Sequence, residues 1–218
     1  MGGSVLMTGL RPYQRRRMRP MVITVSVLAA IAIVTWSVVL VHSAGKSGVA
    51  SCNPPASGAV GTVLEAGSLD GTAPVAPSAV KTTVLNAGGQ RGQANLVAAQ
   101  LGDLGFGEAK PPANDPLHPT GDLECHGQLR FGKGGTAAAS TLSLVLPCLE
   151  LLQDGRGDDT VDVAIGTAFT DVNPSRSVRD VLEQLGAPAA GETGEGQQVA
   201  APSVDPQQLE NARKAATC

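Results

Sequence analysis

The sequence predicts an α/β protein in which one N-terminal transmembrane helix precedes a small two-layer α/β domain built from two βαβ-like units. Three observations predict this architecture. A long apolar run without charges lies near the N-terminus. Short β-branched runs alternate with helical patterns over residues 79–186, which is typical of helices packed on a sheet. All four cysteines follow the apolar run, which indicates that the domain lies in an oxidising compartment.

The first element is the apolar run MVITVSVLAAIAIVTWSVVLV, residues 21–41. Its 21 residues include no charged residue, proline or glycine. At about 1.5 Å rise per residue, such a helix is roughly 30 Å long, which matches the hydrocarbon core of a bilayer. We predict a transmembrane helix over residues 21–42. Two alternatives stay open: a cleaved signal peptide, whose apolar region is usually about 7 to 15 residues long, and a lipoprotein signal that ends before Cys52.

The charges on either side of this helix predict its orientation in the bilayer. Residues 1–20 contain five arginines and no acidic residue, and we interpret them as a cytoplasmic basic tail that contacts anionic lipid headgroups. The positive-inside rule then places the remainder of the chain outside the cytoplasm. All 19 acidic residues follow the helix. This acidic balance argues against nucleic-acid binding by the domain.

The cysteines predict two disulfide bonds. An even cysteine count in a small extracytoplasmic domain is typical of a disulfide framework, and four cysteines allow three pairings. We favour a bond between Cys125 and Cys148 inside the domain and a bond between Cys52 and Cys218 that joins the two ends. No metal site is predicted, because the sequence has no CxxC motif and because Cys125, His126 and Cys148 lack zinc-ligand spacing.

Composition divides the chain beyond the apolar run. Residues 43–78 are rich in Ala, Gly, Ser and Pro and are predicted to form a stalk. Residues 79–186 have the patterns of a globular domain, and residues 187–204 return to linker composition. Residues 205–218 are predicted to form a short helix with Asp205 as its N-cap and a proline directly after it. A disulfide bond from the cysteine of this segment would anchor the helix.

The first half of the domain is predicted from β-branched residues, turns and helical spacing. Residues 80–86 form the first strand. Residues 92–104 carry apolar side chains at helical spacing and form a helix that ends at Gly105. Residues 106–109 form a short second strand. Residues 110–124 hold four prolines and form a loop.

The second half of the domain repeats the pattern. Residues 128–131 form the third strand, and residues 134–146 form a helix whose small side chains allow close packing on the sheet. Residues 149–153 form a strand at the rim. Residues 161–165 alternate between apolar and polar side chains, which indicates a strand with one buried face. Apolar residues at helical spacing over residues 173–186 predict the last helix.

One run of residues carries a family resemblance. The sequence TVLNAGG at residues 83–89, the small residues of the following helix and the pair Gly105–Phe106 resemble the LytR C-terminal domain family. Ala87 stands where this family usually has glycine. The resemblance covers residues 79–167. Together with the membrane helix, the stalk and the segment LECHGQ, the arrangement is similar to that of an actinobacterial envelope-integrity protein.

This resemblance implies a role outside the membrane at the cell wall, without a defined reaction. The family is often attached to catalytic domains of cell-wall ligases, and we expect no such domain in this chain. Together with the predicted membrane helix and the lack of a catalytic constellation in the sequence, this role predicts a single-pass, non-enzymatic protein that supports cell-envelope integrity through contacts with envelope or cell-wall proteins. The alternative is a binding module for a phosphorylated lipid or glycan.

Two glycine-rich turns that precede helices are the candidate ligand-binding sites. Helix N-termini attract anions through free amides and the helix dipole, and each turn carries a basic residue. If the first and third strands run parallel, both turns lie at one edge of the sheet. The alternative is that the glycines serve tight turns and close packing. The candidate residues are Asn86, Gly88, Gly89, Arg91, Gly92, Lys133, Gly134 and Thr136.

Nucleotide binding is not predicted. The run Gly127–Gly134 approaches the P-loop pattern G-x-x-x-x-G-K-[ST], but Gly134 replaces the residue whose hydroxyl group binds Mg²⁺. Residues 128–131 are also predicted to be the strand itself, whereas a P-loop follows its strand. We expect no nucleotide or other cofactor.

Catalysis is not predicted either. His118 lies in the proline-rich loop, His126 follows a cysteine, and neither G-x-S-x-G nor H-E-x-x-H occurs in the sequence. Asp158, Asp159 and Asp162 lack the twelve-residue calcium loop and are interpreted as a solvated hairpin turn. The aromatic residues beyond the apolar run are expected to fill the core and not to form a sugar-binding platform. They are Phe106, Phe131 and Phe169.

Overall fold

The computed structural model describes residues 12–44, 51–58, 60–187, 204–216 and 218, and in the first range it describes side chains only for residues 21–37. Most of the predicted basic tail and nearly all of the predicted linker at residues 187–204 lie outside the described residues. The chain divides into two compact units, Met1–Lys46 and Ser47–Cys218.

In the first unit, helix α1 extends over Pro12–Ala44. The large apolar side chains described along it, from Met21 to Trp36, are all more than half exposed. Hydroxyl groups along it bond to the helix backbone: Thr24 donates to the carbonyl of Met21 at 2.9 Å and Ser37 donates to that of Ile33 at 2.7 Å. Within the described residues, no helix combines the length and the apolar character needed to cross a membrane.

The second unit is a mixed α/β domain, as predicted. Its described strands are β1 (Gly61–Leu64), β2 (Lys81–Asn86), β3 (Gly107–Glu108), β4 (Ala113–Asn114), β5 (Gly127–Phe131), β6 (Glu150–Asp154) and β7 (Thr160–Ile165). Its helices are α2 (Gln93–Asp103), α3 (Thr136–Val145), α4 (Arg176–Gly186) and α5 (Pro206–Ala215). Every predicted strand and helix of the domain has a counterpart, and β1 and β4 are additional.

The strands form one sheet in the order β1-β6-β5-β7-β2-β3, and β4 also pairs with β2. Two units, β5–α3–β6 and β2–α2–β3, each join parallel neighbouring strands through a helix. Strand β7 lies between these units, antiparallel to β5 and parallel to β2. Because β5 and β2 run in opposite directions, their carboxyl ends lie at opposite edges of the sheet.

One face of the sheet carries the main hydrophobic core. Alternate residues of the central strands point to the same side of a sheet, and here those residues join one buried cluster with the apolar side chains of the helices. Phe131 and Phe106 are buried in this cluster and Phe169 packs against it, so the predicted core role of the phenylalanines is confirmed. The strand members of the cluster include Val84, Leu129, Phe131, Leu151, Val161, Val163 and Ile165.

The opposite face of the sheet holds a buried polar network. Arg130 of β5 donates to both carboxylate oxygens of Asp115 at 2.8 Å, and Asp115 comes from the proline-rich loop. Arg130 also donates to the side chain of Gln128 at 2.9 Å, which donates in turn to Glu150 of β6 at 2.8 Å. The backbone N–H of Cys52 donates to the other oxygen of Glu150 at 3.2 Å. A loop and the segment before β1 therefore cover this face through hydrogen bonds.

The two disulfide bonds join Cys52 to Cys125 and Cys148 to Cys218. The prediction that all four cysteines form disulfides is confirmed, but the predicted pairing is wrong. Cys125 packs with Leu123 and its neighbours on the polar-network side, where Cys52 also packs. Cys148 precedes β6 and bonds to the segment that follows α5. Each cysteine of the domain thus pairs with the terminal segment that covers its own side of the sheet.

Residues 51–58 and 60–78, assigned to the stalk from composition, are part of the folded domain. Strand β1 pairs antiparallel with β6, and Leu69 is buried in the main core. Thr141 of α3 accepts from the backbone N–H of Val75 and donates to its carbonyl, both at 2.9 Å. The composition gave the wrong prediction because this segment is held by backbone hydrogen bonds and single apolar contacts, which leave no hydrophobic periodicity.

Helix α5 confirms the predicted cap. The side chain of Asp205 accepts from the backbone N–H groups of Gln207 at 2.7 Å and Gln208 at 3.2 Å, and proline follows it at the first helical position. Arg213 donates to the carbonyl of Thr72 at 2.8 Å, and Ala212 is buried in the main core. The helix therefore packs on the domain through a cap, a core contact, a hydrogen bond and the disulfide at Cys218.

We predict that Asp115→Ala lowers the free energy of unfolding by about 3 to 5 kcal/mol, because it leaves the buried guanidinium of Arg130 without its bidentate partner. Urea unfolding followed by circular dichroism measures the change. The control is Asp159→Ala, which removes an exposed ion pair with Lys81 and should change stability little. The double variant Asp115→Leu/Arg130→Met should recover part of the loss. A single variant as stable as the control would contradict the role of the pair.

Candidate functional site

The first predicted glycine turn, between β2 and α2, is closed by the side chain of Asn86. Its oxygen accepts from the backbone N–H of Gly89 at 3.0 Å, and its amide group donates to the carbonyl of Gln90 at 2.8 Å. Gly92 takes a positive φ of 80° and caps α2 without a side-chain hydrogen bond. Asn86 therefore shapes the turn, and its hydrogen bonds are already used within it.

Close packing explains two of the glycines around this turn. A Cβ atom at Gly88 would lie 2.6 Å from the carbonyl carbon of Gly166. A Cβ atom at Gly121, which has a φ of 72°, would lie 2.4 Å from the Cα atom of Gly89. The turn is thus fitted against the end of β7 and against the proline-rich loop.

A polar cleft of about 340 Å³ lies beside this turn at the carboxyl end of β2. Ligands of open α/β sheets bind outside the carboxyl ends of strands, which makes this cleft the candidate ligand site. Exposed Arg91 supplies the positive charge, and side chains of the loop face it. The lining residues are Asn86, Gly89, Arg91, Gly92, Asn114, Pro119, Thr120 and Gly121.

The second predicted turn lies at the other end of the sheet. Lys133 and Gly134 follow β5, which runs opposite to β2, and a Cβ atom at Gly134 would lie 2.8 Å from the carbonyl oxygen of Asp158. Thr136 uses its hydroxyl group to donate to the carbonyl of Lys133 at 2.9 Å. The expectation that both turns lie at the same ends of the strands is therefore wrong. Strand β7 lies between the two units and runs antiparallel to β5 but parallel to β2, so β5 and β2 end on opposite sides.

The acidic turn between β6 and β7 is not a hairpin, because β5 lies between the two strands that it joins. Arg156 lies between two carboxylates, with hydrogen bonds of 2.6 Å to Asp162 and 2.9 Å to Asp154. Burial acts to lower the pKa of Arg156, but the hydrogen bonds to Asp162 and Asp154 outweigh burial and the pKa is raised. Asp159, which the sequence analysis placed in the same acidic turn, forms an ion pair with Lys81 at 2.9 Å. Asp154, Asp159 and Asp162 are thus paired with basic side chains of the fold. Asp158 instead accepts hydrogen bonds from the backbone N–H and the hydroxyl group of Thr160.

His118 is more buried than its loop position predicts. Its ring is 2% exposed, and Nδ1 lies 3.1 Å from the carboxylate of Asp122. The hydrogen bond with His118 holds the pKa of Asp122 below its usual value. Among the described residues no hydroxyl or thiol group bonds to His118, and Nε2 has no hydrogen-bond partner. The pair therefore lacks the adjacent serine or cysteine side chain that a covalent hydrolase uses as its nucleophile.

His126 lies beside a different group. One nitrogen of its ring and the sulfur atoms of Cys148 and Cys218 all lie within 4.8 Å of one another. The sequence separations among these residues match no zinc motif, and the sequence analysis missed the group for that reason. The pairing of β5 with β6 and the position of α5 bring these residues together.

A groove of about 510 Å³ lies on the main-core side of the domain. It lies between α5, the segment after β1 and the end of α3. Its apolar floor includes Leu64, Leu69 and Leu144, and its rim is charged. The charged lining residues are Asp70, Glu210, Arg213 and Lys214. The groove therefore offers both apolar and ionic contacts.

Comparison with known proteins decides the family. A family model described as LytR cell envelope-related transcriptional attenuator matches residues 79–169. The chain is 40% identical over 182 residues to the Cell envelope integrity protein Cei of Mycobacterium tuberculosis. This alignment covers 80% of this chain and 83% of that protein. The chain belongs to the LytR C-terminal domain family. The resemblance inferred from residues 83–89 is thus confirmed.

A solved structure supports the same assignment. The crystal structure of the soluble domain of a conserved hypothetical secreted protein from Mycobacterium marinum has a TM-score of 0.60 and 37% identity with this chain. The match covers 73% of this chain and 99% of that one. The LytR C-terminal domain match of this chain contains both strand–helix–strand units and the cleft at the first glycine turn. It ends before α4 and α5, so Cys218 and the groove beside α5 involve residues outside it.

Proposed function

We propose that this chain is a single-pass membrane protein whose disulfide-bonded domain lies outside the cytoplasm and supports cell-envelope integrity without catalysing a reaction. The observation that carries this proposal is the 40% identity to a protein named for cell-envelope integrity, over most of both chains. The two disulfide bonds support an oxidising compartment. The charged clusters Arg130–Asp115 and Arg156 with Asp154 and Asp162 are paired within the fold, and we therefore propose a structural role for them.

The membrane anchor is proposed for residues 21–42. Its support is the uncharged run of 21 residues, the arginines before it and the acidic chain after it. The exposed apolar side chains described from Met21 to Trp36 are the surface that lipid would cover.

We predict that Ala30→Arg weakens membrane insertion, because a central arginine costs about 2.5 to 3.5 kcal/mol in a transmembrane helix. Alkaline extraction of membranes followed by immunoblotting measures the retained fraction. Ser26→Ala is the matched control and should stay in the membrane pellet. Equal retention of both variants would argue against a helix that spans the bilayer.

Protein contacts are proposed at the exposed edge of β1 and the adjoining groove beside α5. Val63 is 54% exposed on this edge strand, and within the described residues β1 pairs only with β6. An exposed strand edge can accept an extended segment of a partner through main-chain hydrogen bonds, and neighbouring pockets then select its side chains. Leu64 belongs to β1 and also lines the groove, so one partner segment can contact both.

We predict that a photo-crosslinking amino acid at position 63 captures specific envelope proteins, whereas the same amino acid at Leu96 does not. Leu96 is 60% exposed on α2 and is the matched control. Val63→Arg should also raise dye uptake when the chain replaces its relative in a mycobacterial strain that lacks it, and Leu96→Arg should not. Identical captured proteins at both positions, or equal dye uptake, would argue against this surface.

The alternative function is binding of a phosphorylated lipid or glycan in the cleft at the first glycine turn. Arg91 and the N-terminus of α2 favour an anion there. The second turn cannot contribute to the same site, because it lies at the opposite edge of the sheet.

We predict that, if this alternative holds, Arg91→Ala weakens binding by about tenfold or more, since a hydrogen bond to a charged group contributes roughly 1.5 to 3 kcal/mol. Calorimetry with a polyprenyl phosphate in detergent provides the measurement. Lys133→Ala is the control and should leave the affinity unchanged. The same affinity in wild type and Arg91→Ala would exclude the cleft as the site.

A further inference from the structure

The second disulfide bond lies beside His126, whose ring nitrogen Nδ1 has no hydrogen-bond partner among the described residues. His126 directly precedes β5, and Cys148 lies two residues before β6. Because Gln128 pairs with Glu150 in parallel register, the same register places residue 126 beside residue 148. Cys218, which follows α5, completes the group, and the three possible ligand atoms lie within 4.8 Å of one another.

The imidazole ring of His126 has hydrogen-bonding capacity that the oxidised protein leaves unused. Nδ1 is buried and has no hydrogen-bond partner among the described residues. The backbone carbonyl of His126 accepts from Gly166 at 3.0 Å, which fixes the residue at the end of β7. A buried imidazole nitrogen without a partner is costly unless another group binds it.

We propose that the reduced form of this protein binds one Zn²⁺ ion through His126, Cys148 and Cys218. Zinc binds two thiolates and an imidazole in tetrahedral geometry, at about 2.3 Å from sulfur and 2.0 to 2.1 Å from nitrogen, with a water molecule in the fourth position. Such ligand atoms are roughly 3.3 to 3.8 Å apart. Opening the disulfide bond allows the two sulfur atoms to reach that separation with small movements.

The chemistry requires a reductant. A dithiol reduces the Cys148–Cys218 bond with two electrons and two protons, which yields two thiols and the disulfide of the reductant. Zn²⁺ then replaces the two thiol protons and binds the nitrogen of His126, with release of both protons to water. In the oxidised form the sulfur atoms are bonded to each other and offer no thiolate. Coordination to the ion therefore replaces the disulfide bond as the link between Cys218 and the domain.

This site is independent of the proposed envelope function. It involves neither the β1 edge nor the cleft at the first glycine turn. With this site, α5 stays anchored to the domain in both redox states, by the disulfide bond in the oxidised form and by the zinc ion in the reduced form.

The test uses the full chain in detergent, oxidised or reduced by a phosphine that is then removed under nitrogen. Competition titration should show that the reduced protein binds Zn²⁺ at this site and that the oxidised protein does not. Affinity should fall at least about tenfold in His126→Ala and in Cys218→Ser. The variant Cys52→Ala/Cys125→Ala, which lacks the other cysteine pair, should bind one ion. Zn²⁺ should also raise the unfolding temperature of the reduced protein only.

Cobalt provides a readout that does not depend on the stability of the variants. Co²⁺ bound to the reduced Cys52→Ala/Cys125→Ala variant should show the charge-transfer absorption of two thiolate ligands. When Cys218→Ser is added to that variant, the absorption should fall to the intensity of one thiolate ligand or disappear. Equal Zn²⁺ binding by oxidised and reduced protein would overturn the proposal. So would an absence of binding to the reduced protein, or undiminished affinity in His126→Ala and Cys218→Ser.

Discussion

The pairing of β7 with both β5 and β2 is the constraint on which the domain depends. This strand joins two strand–helix–strand units that each have parallel pairing, and it accepts one antiparallel and one parallel neighbour. It thereby fixes the two units in opposite directions. The glycine turns that follow β2 and β5 are separated for this reason. The first of them packs against the proline-rich loop, where it lines a polar cleft.

The two faces of the sheet are stabilised by different interactions. The helices cover one face with a conventional apolar cluster, whose gain in free energy follows the buried apolar area. The other face carries Arg130 and Glu150, and it is covered by segments that satisfy these charges with hydrogen bonds. A loop with four prolines can cover this face because Asp115 supplies the missing negative charge. The disulfide at Cys52 holds the second covering segment in place.

Disulfide bonds and caps offset the small aromatic content of the domain. Only three aromatic residues follow the apolar run, so large side chains contribute little to the core. The bonds at Cys52 and Cys148 close loops whose residues are 73 and 70 apart in sequence, and such long loops lose much conformational entropy when they are cross-linked. The terminal segments are therefore as much a part of the fold as the strands they cover.

The sequence by itself determined the local structure and the family. Hydrophobic periodicity, the Asp205 cap and the TVLNAGG turn depend on neighbouring residues, and their prediction agreed with the structure. The disulfide pairing, the folded state of residues 51–58 and 60–78 and the positions of the turns were decided by the tertiary structure. These features depend on which strands pair and in which direction, and residues far apart in sequence set that choice. No local pattern records that Asp115 meets Arg130, or that His126 meets Cys148 and Cys218.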